Sequence, residues 1–156
     1  MKRRALLLLG ANLGDRARTL RTALRELGRL DGCRVVKTSR FYETAPVGPS
    51  DEPYLNAACV LETTRSAMGL LVEAKRLEAA AGRRPGGKWT ARELDVDIVS
   101  LGSERVRTPW LAVPHPLMES RAFALGPLGD VSPRHRALYR ALRPDPHICR
   151  IWSHGR

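Results

Sequence analysis

Arg92-Glu93-Leu94-Asp95-Val96-Asp97-Ile98 sets two carboxylates, two residues apart, inside an apolar run that continues through Val99, Ser100 and Leu101. Read as a strand, the run alternates its side chains between two faces. Asp95 and Asp97 then share one side, and Leu94, Val96 and Ile98 share the other. The like charges stand roughly 6 to 7 Å apart along such a strand. On a half-buried sheet they repel one another and lose hydration, and a divalent cation between them offsets both effects. The donors suit a hard cation, and magnesium favours one or two protein carboxylates completed by substrate phosphates and water. Asp-x-Asp also occurs by chance on solvated strands and turns, so its neighbours decide between the readings.

Both neighbours are basic. Upstream, Gly82-Arg83-Arg84-Pro85-Gly86-Gly87-Lys88-Trp89 combines pliable backbone, cations and one large ring. It reads as a mobile loop that clamps an anion and stacks its indole on a planar ligand, or as a solvated surface turn. Downstream, Val113-Pro114-His115-Pro116-Leu117-Met118-Glu119-Ser120-Arg121-Ala122-Phe123 holds a histidine between two prolines ahead of an arginine. That restriction suits a histidine keeping one hydrogen-bond geometry toward a phosphate, and equally suits a structural turn.

Outward from these motifs the chain alternates strands and helices. Residues 5–9 form a buried strand. Asp15 then caps a helix whose Leu20, Ala23, Leu24, Leu27 and Leu30 recur at helical spacing. Residues 34–42 and 55–61 read as strands separated by the Pro46-Val47-Gly48-Pro49 loop. Ser66 opens a second helix with Leu70, Leu71, Ala74, Leu77 and Ala81 on one side, and Gly82 ends it. After the strand at 95–101 come a short segment at 116–123 and a last helix near 135–142. The tail, residues 144–156, carries no readable signal; His147, Trp152 and His154 are expected at the surface or in packing.

At 17.3 kDa with 43% hydrophobic residues, the chain suits one domain, 1–156, with its own core. A net charge of +11 invites a nucleic-acid reading. The basic residues are spread along the whole chain, however, aromatics are only 5%, and neither an RNA-binding sheet signature, a helix-turn-helix nor a zinc spacing occurs. Cys33, Cys59 and Cys149 form no CxxC pair and suit a reducing compartment. Met1-Lys2-Arg3-Arg4 before residues 5–9 imitates a secretion signal, but the apolar stretch is too short, and no other segment reaches membrane-spanning length. A cytoplasmic monomer that binds neither membrane nor specific nucleic acid is expected.

Four ordered motifs carry a family resemblance: Leu9-Gly10-Ala11-Asn12-Leu13-Gly14-Asp15-Arg16; Phe41-Tyr42-Glu43-Thr44-Ala45-Pro46-Val47-Gly48-Pro49 with Tyr54-Leu55-Asn56-Ala57; the 92–98 stretch; and the 113–123 stretch. From about residue 6 to residue 128 the chain resembles the 6-hydroxymethyl-7,8-dihydropterin pyrophosphokinases, also called 2-amino-4-hydroxy-6-hydroxymethyldihydropteridine diphosphokinases, of folate synthesis. The resemblance implies a ferredoxin-like α+β sandwich, its mixed, mostly antiparallel sheet flanked by helices. It also implies diphosphate transfer from ATP to the pterin hydroxymethyl group, giving AMP. Asp95 and Asp97 would hold two magnesium ions. Arg83 and Arg92 would act on the phosphates as the loop closes, and His115 and Arg121 would bind ATP, with Glu78 and Ile98 lining the nucleotide pocket. Tyr54 and Phe123 would face the pterin ring, Thr44, Val47 and Asn56 would read its polar edge, and Trp89 would cap it.

The chemistry is consistent with that division. Transfer of a phosphoryl centre asks the protein mainly for positioning and charge neutralisation. Either Asp97 takes the hydroxyl proton or a magnesium ion lowers the hydroxyl pKa, and the sequence does not choose. The chain departs from the family where Thr90-Ala91 replaces a frequent Gly-Pro, and where Lys88, Trp110 and Leu117 replace frequent arginines. Lysine supplies point charge without the two-pronged fork, so ATP should bind more weakly than in a typical member. A nucleotide titration giving ordinary affinity would refute this. Two other readings remain open: a pterin- or nucleotide-binding paralogue without catalysis, excluded by magnesium-dependent AMP formation, and a basic RNA-binding module, favoured by retention on RNA at physiological salt.

Overall fold

The computed structural model describes residues 1–46, 51–82, 93–144 and 149–153. The apolar run at 5–9 is the middle of β1 (Arg3–Ala11), buried from Ala5 to Ala11. There follow α1 (Arg16–Arg29), β2 (Cys33–Thr38), β3 (Tyr42–Thr44), β4 (Tyr54–Thr63), α2 (Ala67–Ala80) and β5 (Asp95–Leu101). The chain continues through β6 (Val106–Arg107), β7 (Ala112–Val113), a 3-10 turn (Met118–Ser120), α3 (Ala122–Val131), α4 (Pro133–Leu142) and β8 (Cys149–Ile151).

Both expected helix starts are present, Asp15 accepting from the Arg18 amide and Ser66 from the Gly69 amide. Each side chain satisfies one of the orphan donors of a first helical turn. The main sheet runs β5-β1-β4-β3-β8, with β2 also on β4. Every described pair is antiparallel, so the sandwich is α+β as expected, with no parallel pair among the described residues. Helices α1 and α2 cover one face, where Leu7, Leu9, Leu55 and Ile98 meet Leu20, Leu27, Leu70 and Ala74. On the other face Leu6, Leu8, Ala58 and Val99 meet Met118, Ala124 and Leu128. Cover on both faces explains why β1 and β4 read as almost unbroken apolar runs.

Three expectations change. The strand expected at 34–42 is two strands, β2 and β3. The β2–β4 register shifts between Val35 and Lys37, and at the break the Ser39 hydroxyl accepts from the Ala58 amide at 2.8 Å, a side chain standing in for the ladder. The segment 116–123 leads into a full helix, α3, whose Gly126, Pro127 and Gly129 look like breakers in sequence. The glycines serve close packing. A Cβ on Gly126 would meet Cys149 Sγ at 2.9 Å and the Tyr42 ring at 3.1 Å, and one on Gly129 would meet the Arg136 backbone at 3.2 Å. Finally, part of the tail joins the sheet as β8, Cys149 opposite Thr44 and Ile151 opposite Tyr42, and Trp152 lies 6.1 Å from the Phe41 ring.

Candidate active site

Register assembles the site. Asp97 stands opposite Leu8 and Leu8 opposite Ala58; Asp95 stands opposite Gly10, Gly10 opposite Asn56, and Asn56 opposite Tyr42. Residues directly opposed in an antiparallel ladder share a face. Leu8 and Ala58 belong to the α3-side core, so the acidic couplet and Asn56 lie on that face. Thr44 and Tyr54, opposed to each other one step along, join them. Leu94, Val96 and Ile98 are buried in the core under α1 and α2, as alternation predicts. The alternation holds from Asp95 to Ile98 and is then broken by a bulge that turns Val99 to the α3 side.

Asn56 and Thr44 form one polar unit, the amide Nδ2 donating to the Thr44 hydroxyl at 2.8 Å, with the two residues 4% and 2% exposed. Gly10 makes room for it: a Cβ there would lie 2.7 Å from Asn56 Oδ1 and 3.7 Å from the Tyr54 ring. Sequence reading placed Gly10 in a motif but gave it no role. Its contact partners are set by register, which the motif alone does not fix.

Burial, then the charges of Asp95 and Glu78, push the Asp97 carboxyl up to about 6, opposed by Arg121 and Lys75. His115 is held below its usual value by burial and by Arg121. Its Nδ1 accepts from the Leu117 amide at 3.2 Å, which leaves the proton of a neutral ring on Nε2 as a donor. The His115 amide in turn donates to the Val99 carbonyl on the open edge of β5 at 2.8 Å. The Arg121 guanidinium lies 5.7 Å from the centre of the Phe123 ring, and its charge acts on both Asp97 and His115. Asp95, Asp97, His115, Arg121 and Phe123 are therefore gathered on one side of the sheet, with Thr44, Tyr54 and Asn56 beside them.

Two expected nucleotide-pocket residues sit differently. Glu78, 2% exposed, accepts from the Val96 amide at 3.0 Å and from Lys75 at 3.0 Å. It thus holds the peptide between the two aspartates from the sheet edge. Ile98 is 3% exposed in the helix-side core, so any nucleotide contact it makes falls to its backbone. Val47, Arg83, Lys88, Trp89, Thr90, Ala91 and Arg92 lie outside the described residues. The residues flanking that second segment meet, because a Cβ on Gly82, whose φ is +99°, would overlap the Glu93 carboxylate. Trp110 and Leu117 are 76% and 50% exposed. Thr108 shapes the β6–β7 turn that presents Trp110, its hydroxyl accepting from the amides of Trp110 and Leu111 at 3.2 and 3.0 Å.

Among the described residues no cluster of three or more His, Cys, Asp or Glu side chains could hold a metal ion. The couplet supplies two carboxylates, one of them partly desolvated. That donor set fits magnesium, whose remaining positions go to phosphate and water. No helix among the described residues is long and apolar enough to cross a membrane.

A family model described as "7,8-dihydro-6-hydroxymethylpterin-pyrophosphokinase (HPPK)" matches residues 6–133. The 2-amino-4-hydroxy-6-hydroxymethyldihydropteridine pyrophosphokinase of Haemophilus influenzae is 37% identical over 129 residues, 82% of this chain and 81% of that one. Its Bacillus subtilis counterpart is 34% identical over 150 residues, 96% and 90% of the two chains. The mitochondrial folate synthesis bifunctional protein of Arabidopsis thaliana is 40% identical over 124 residues, 79% of this chain and 22% of that one. Among solved structures, "Crystal Structure Analysis of the HPPK-DHPS in complex with substrates" superposes with a TM-score of 0.73 at 12% identity, over 90% of this chain and 43% of that one. "Crystal structure of Plasmodium falciparum HPPK-DHPS wild type" gives 0.69 at 14% identity, over 91% and 41%. The chain spans less than half the length of these two solved chains and most of the length of the two bacterial relatives. With a family model matching most of its residues and two bacterial relatives above 30% identity along most of their length, the chain belongs to the 7,8-dihydro-6-hydroxymethylpterin pyrophosphokinase family.

Proposed function

We propose that the chain transfers diphosphate from ATP to the hydroxymethyl group of 6-hydroxymethyl-7,8-dihydropterin in folate synthesis, through the residues gathered on the α3 side of the sheet. The pterin oxygen attacks the β-phosphorus, the bond from that phosphorus to the α-phosphate oxygen breaks, and the hydroxyl proton is lost as AMP departs. The carrying observation is the single face that joins an acidic couplet to a buried Thr44–Asn56 unit, with His115 and Arg121 alongside.

Thr44, having accepted from Asn56, has its hydroxyl proton to donate, and the Asn56 amide has a second N–H; such a pair suits the donor and acceptor edge of a pterin. Tyr54 and Phe123 offer ring faces to the flat bicycle, with Val47 and Trp89 completing the pocket. His115 donates from Nε2 and Arg121 from its planar fork to the triphosphate, joined by Arg83 and Arg92. Asp95 and Asp97 would hold two magnesium ions, which when bound supply positive charge to the phosphates and acidify the attacking hydroxyl. The Asp97 carboxylate is the alternative acceptor of that proton. The same reading takes residues 1–156 as one domain, monomeric, acting on small molecules.

Mass spectrometry of products from ATP and the reduced pterin tests the reading. AMP and pterin diphosphate, formed only with magnesium, are expected. ADP with pterin monophosphate, or no product, would overturn it. Asp95→Ala and Asp97→Ala should each abolish turnover and leave the folded state intact by circular dichroism.

A further inference from the structure

We infer that Arg16 is a positioning residue for the pterin, gripping from the α1 side the two strand ends whose opposite face carries Thr44 and Tyr54. The inference rests on the assignment of Thr44, Tyr54 and Asn56 to the pterin. Arg16 is the first residue of α1, so the Asp15 cap fixes where its side chain starts. One guanidinium nitrogen donates to Glu43 Oε2 at 2.8 Å and the other to the Pro53 carbonyl at 2.8 Å. Glu43 immediately precedes Thr44 on β3, and Pro53 immediately precedes Tyr54 on β4. Thr44 and Tyr54 are the last opposed pair of that ladder, so at this end no further backbone pair among the described residues holds the two strands together.

The fork supplies that missing tie. The Glu43 side chain points to the helix side, opposite Leu55, while Thr44 and Tyr54 point to the pterin side. Arg16 therefore controls the spacing of the two pocket residues without occupying the pocket. Its side chain is 23% exposed and that of Glu43 15%, so the pair is shielded enough for geometry to persist. A lysine reaches one acceptor as a point charge and cannot bridge two at fixed separation. Glu43 keeps a second partner, Arg150, at 2.5 Å, so loss of Arg16 loosens the strand ends and leaves the carboxylate paired.

Steady-state kinetics and pterin titration in the presence of a non-hydrolysable ATP analogue test this, using the full chain and the variants Arg16→Ala, Arg16→Lys and Asn56→Ala. For Arg16→Ala, pterin KM and Kd should rise about tenfold while ATP KM stays within twofold and the melting temperature changes little. Arg16→Lys should recover part of the loss, and it serves as the decisive variant if the alanine form does not fold. Equal changes in the pterin and ATP constants, or a fall in melting temperature with unchanged pterin binding, would overturn the inference. If Asn56→Ala weakens the pterin and neither Arg16 variant does, the pocket assignment stands and the role of Arg16 fails. If none of the three weakens the pterin, both fail.

Discussion

Asp97 carries the largest conflict at the scale of single residues, because burial and the charges of Asp95 and Glu78 disfavour the ionised carboxylate that a cation site requires. Its carboxyl titrates at about 6 in the fold against 3.8 for an ordinary aspartate. A raised value means that the fold prefers the protonated form. The stabilisation is complete below the unfolded value and disappears as pH rises through the folded one. Without magnesium, Asp97→Asn should therefore be more stable than the parent at pH 8, by on the order of 1 to 3 kcal/mol, and the gap should close by pH 4. Denaturant titrations of both proteins across this range check it; a gap that stays constant with pH removes the assigned cause. Gly10 gives a second test. Gly10→Ala would place a Cβ 2.7 Å from Asn56 Oδ1, so Asn56 must shift and pterin Kd should rise at least fivefold, read by titration against an unchanged nucleotide affinity. The couplet was legible from its alternation with Val96 and Ile98. Gly10 was not, because its partner is 46 residues away and only strand register brings Asn56 to it.

At the scale of elements, α3 shows why apparent breakers mislead. Residues 122–131 hold two glycines and a proline, which in isolation lower helix propensity, yet seven of the ten residues are buried and tertiary packing decides. Gly126 is the close contact, since Tyr42 beside it is fixed at the hydroxyl, which donates to Asp130 at 3.0 Å and accepts from Arg40 at 3.0 Å. Gly126→Ala would gain up to about 1 kcal/mol of helix propensity. It would also force a methyl against a held ring and a buried Cys149 sulfur, which typically costs 1 to 3 kcal/mol. Net destabilisation of about 1 kcal/mol is expected, measured as a lower denaturant midpoint at unchanged slope; a stabilised variant would show that Tyr42 and Cys149 yield easily. The helices α1 and α2 were readable because their caps and apolar spacing are local. The split of β2 from β3 was not, because there the Ser39 hydroxyl, in place of a backbone carbonyl of its own segment, accepts from the Ala58 amide of β4.

Across the whole molecule, the segment that read as an uninformative tail closes the sheet. Only three residues of it form β8, too short for a period-2 pattern, and their strand identity comes entirely from the exposed side of β3. Contacts of β8 and of Trp152 just after it tie distant parts together: Trp152 donates its amide to the Phe41 carbonyl at 2.8 Å, Arg150 pairs with Glu43, and Cys149 fills the space beside Gly126. Removing residues 145–156 should leave both cores in place, since their buried members lie between residues 5 and 131. The cost should be on the order of 2 kcal/mol from exposure of Phe41, Tyr42 and the α3 surface, seen as a lower melting temperature in a still cooperative transition. Thr44 loses one of its two partner strands at the same time and keeps only β4, so pterin KM should rise more than ATP KM. A truncated chain with unchanged melting temperature would mean that β8 is an ornament of the fold; one with lower stability but parental pterin KM would mean that β3 is held by β4 alone.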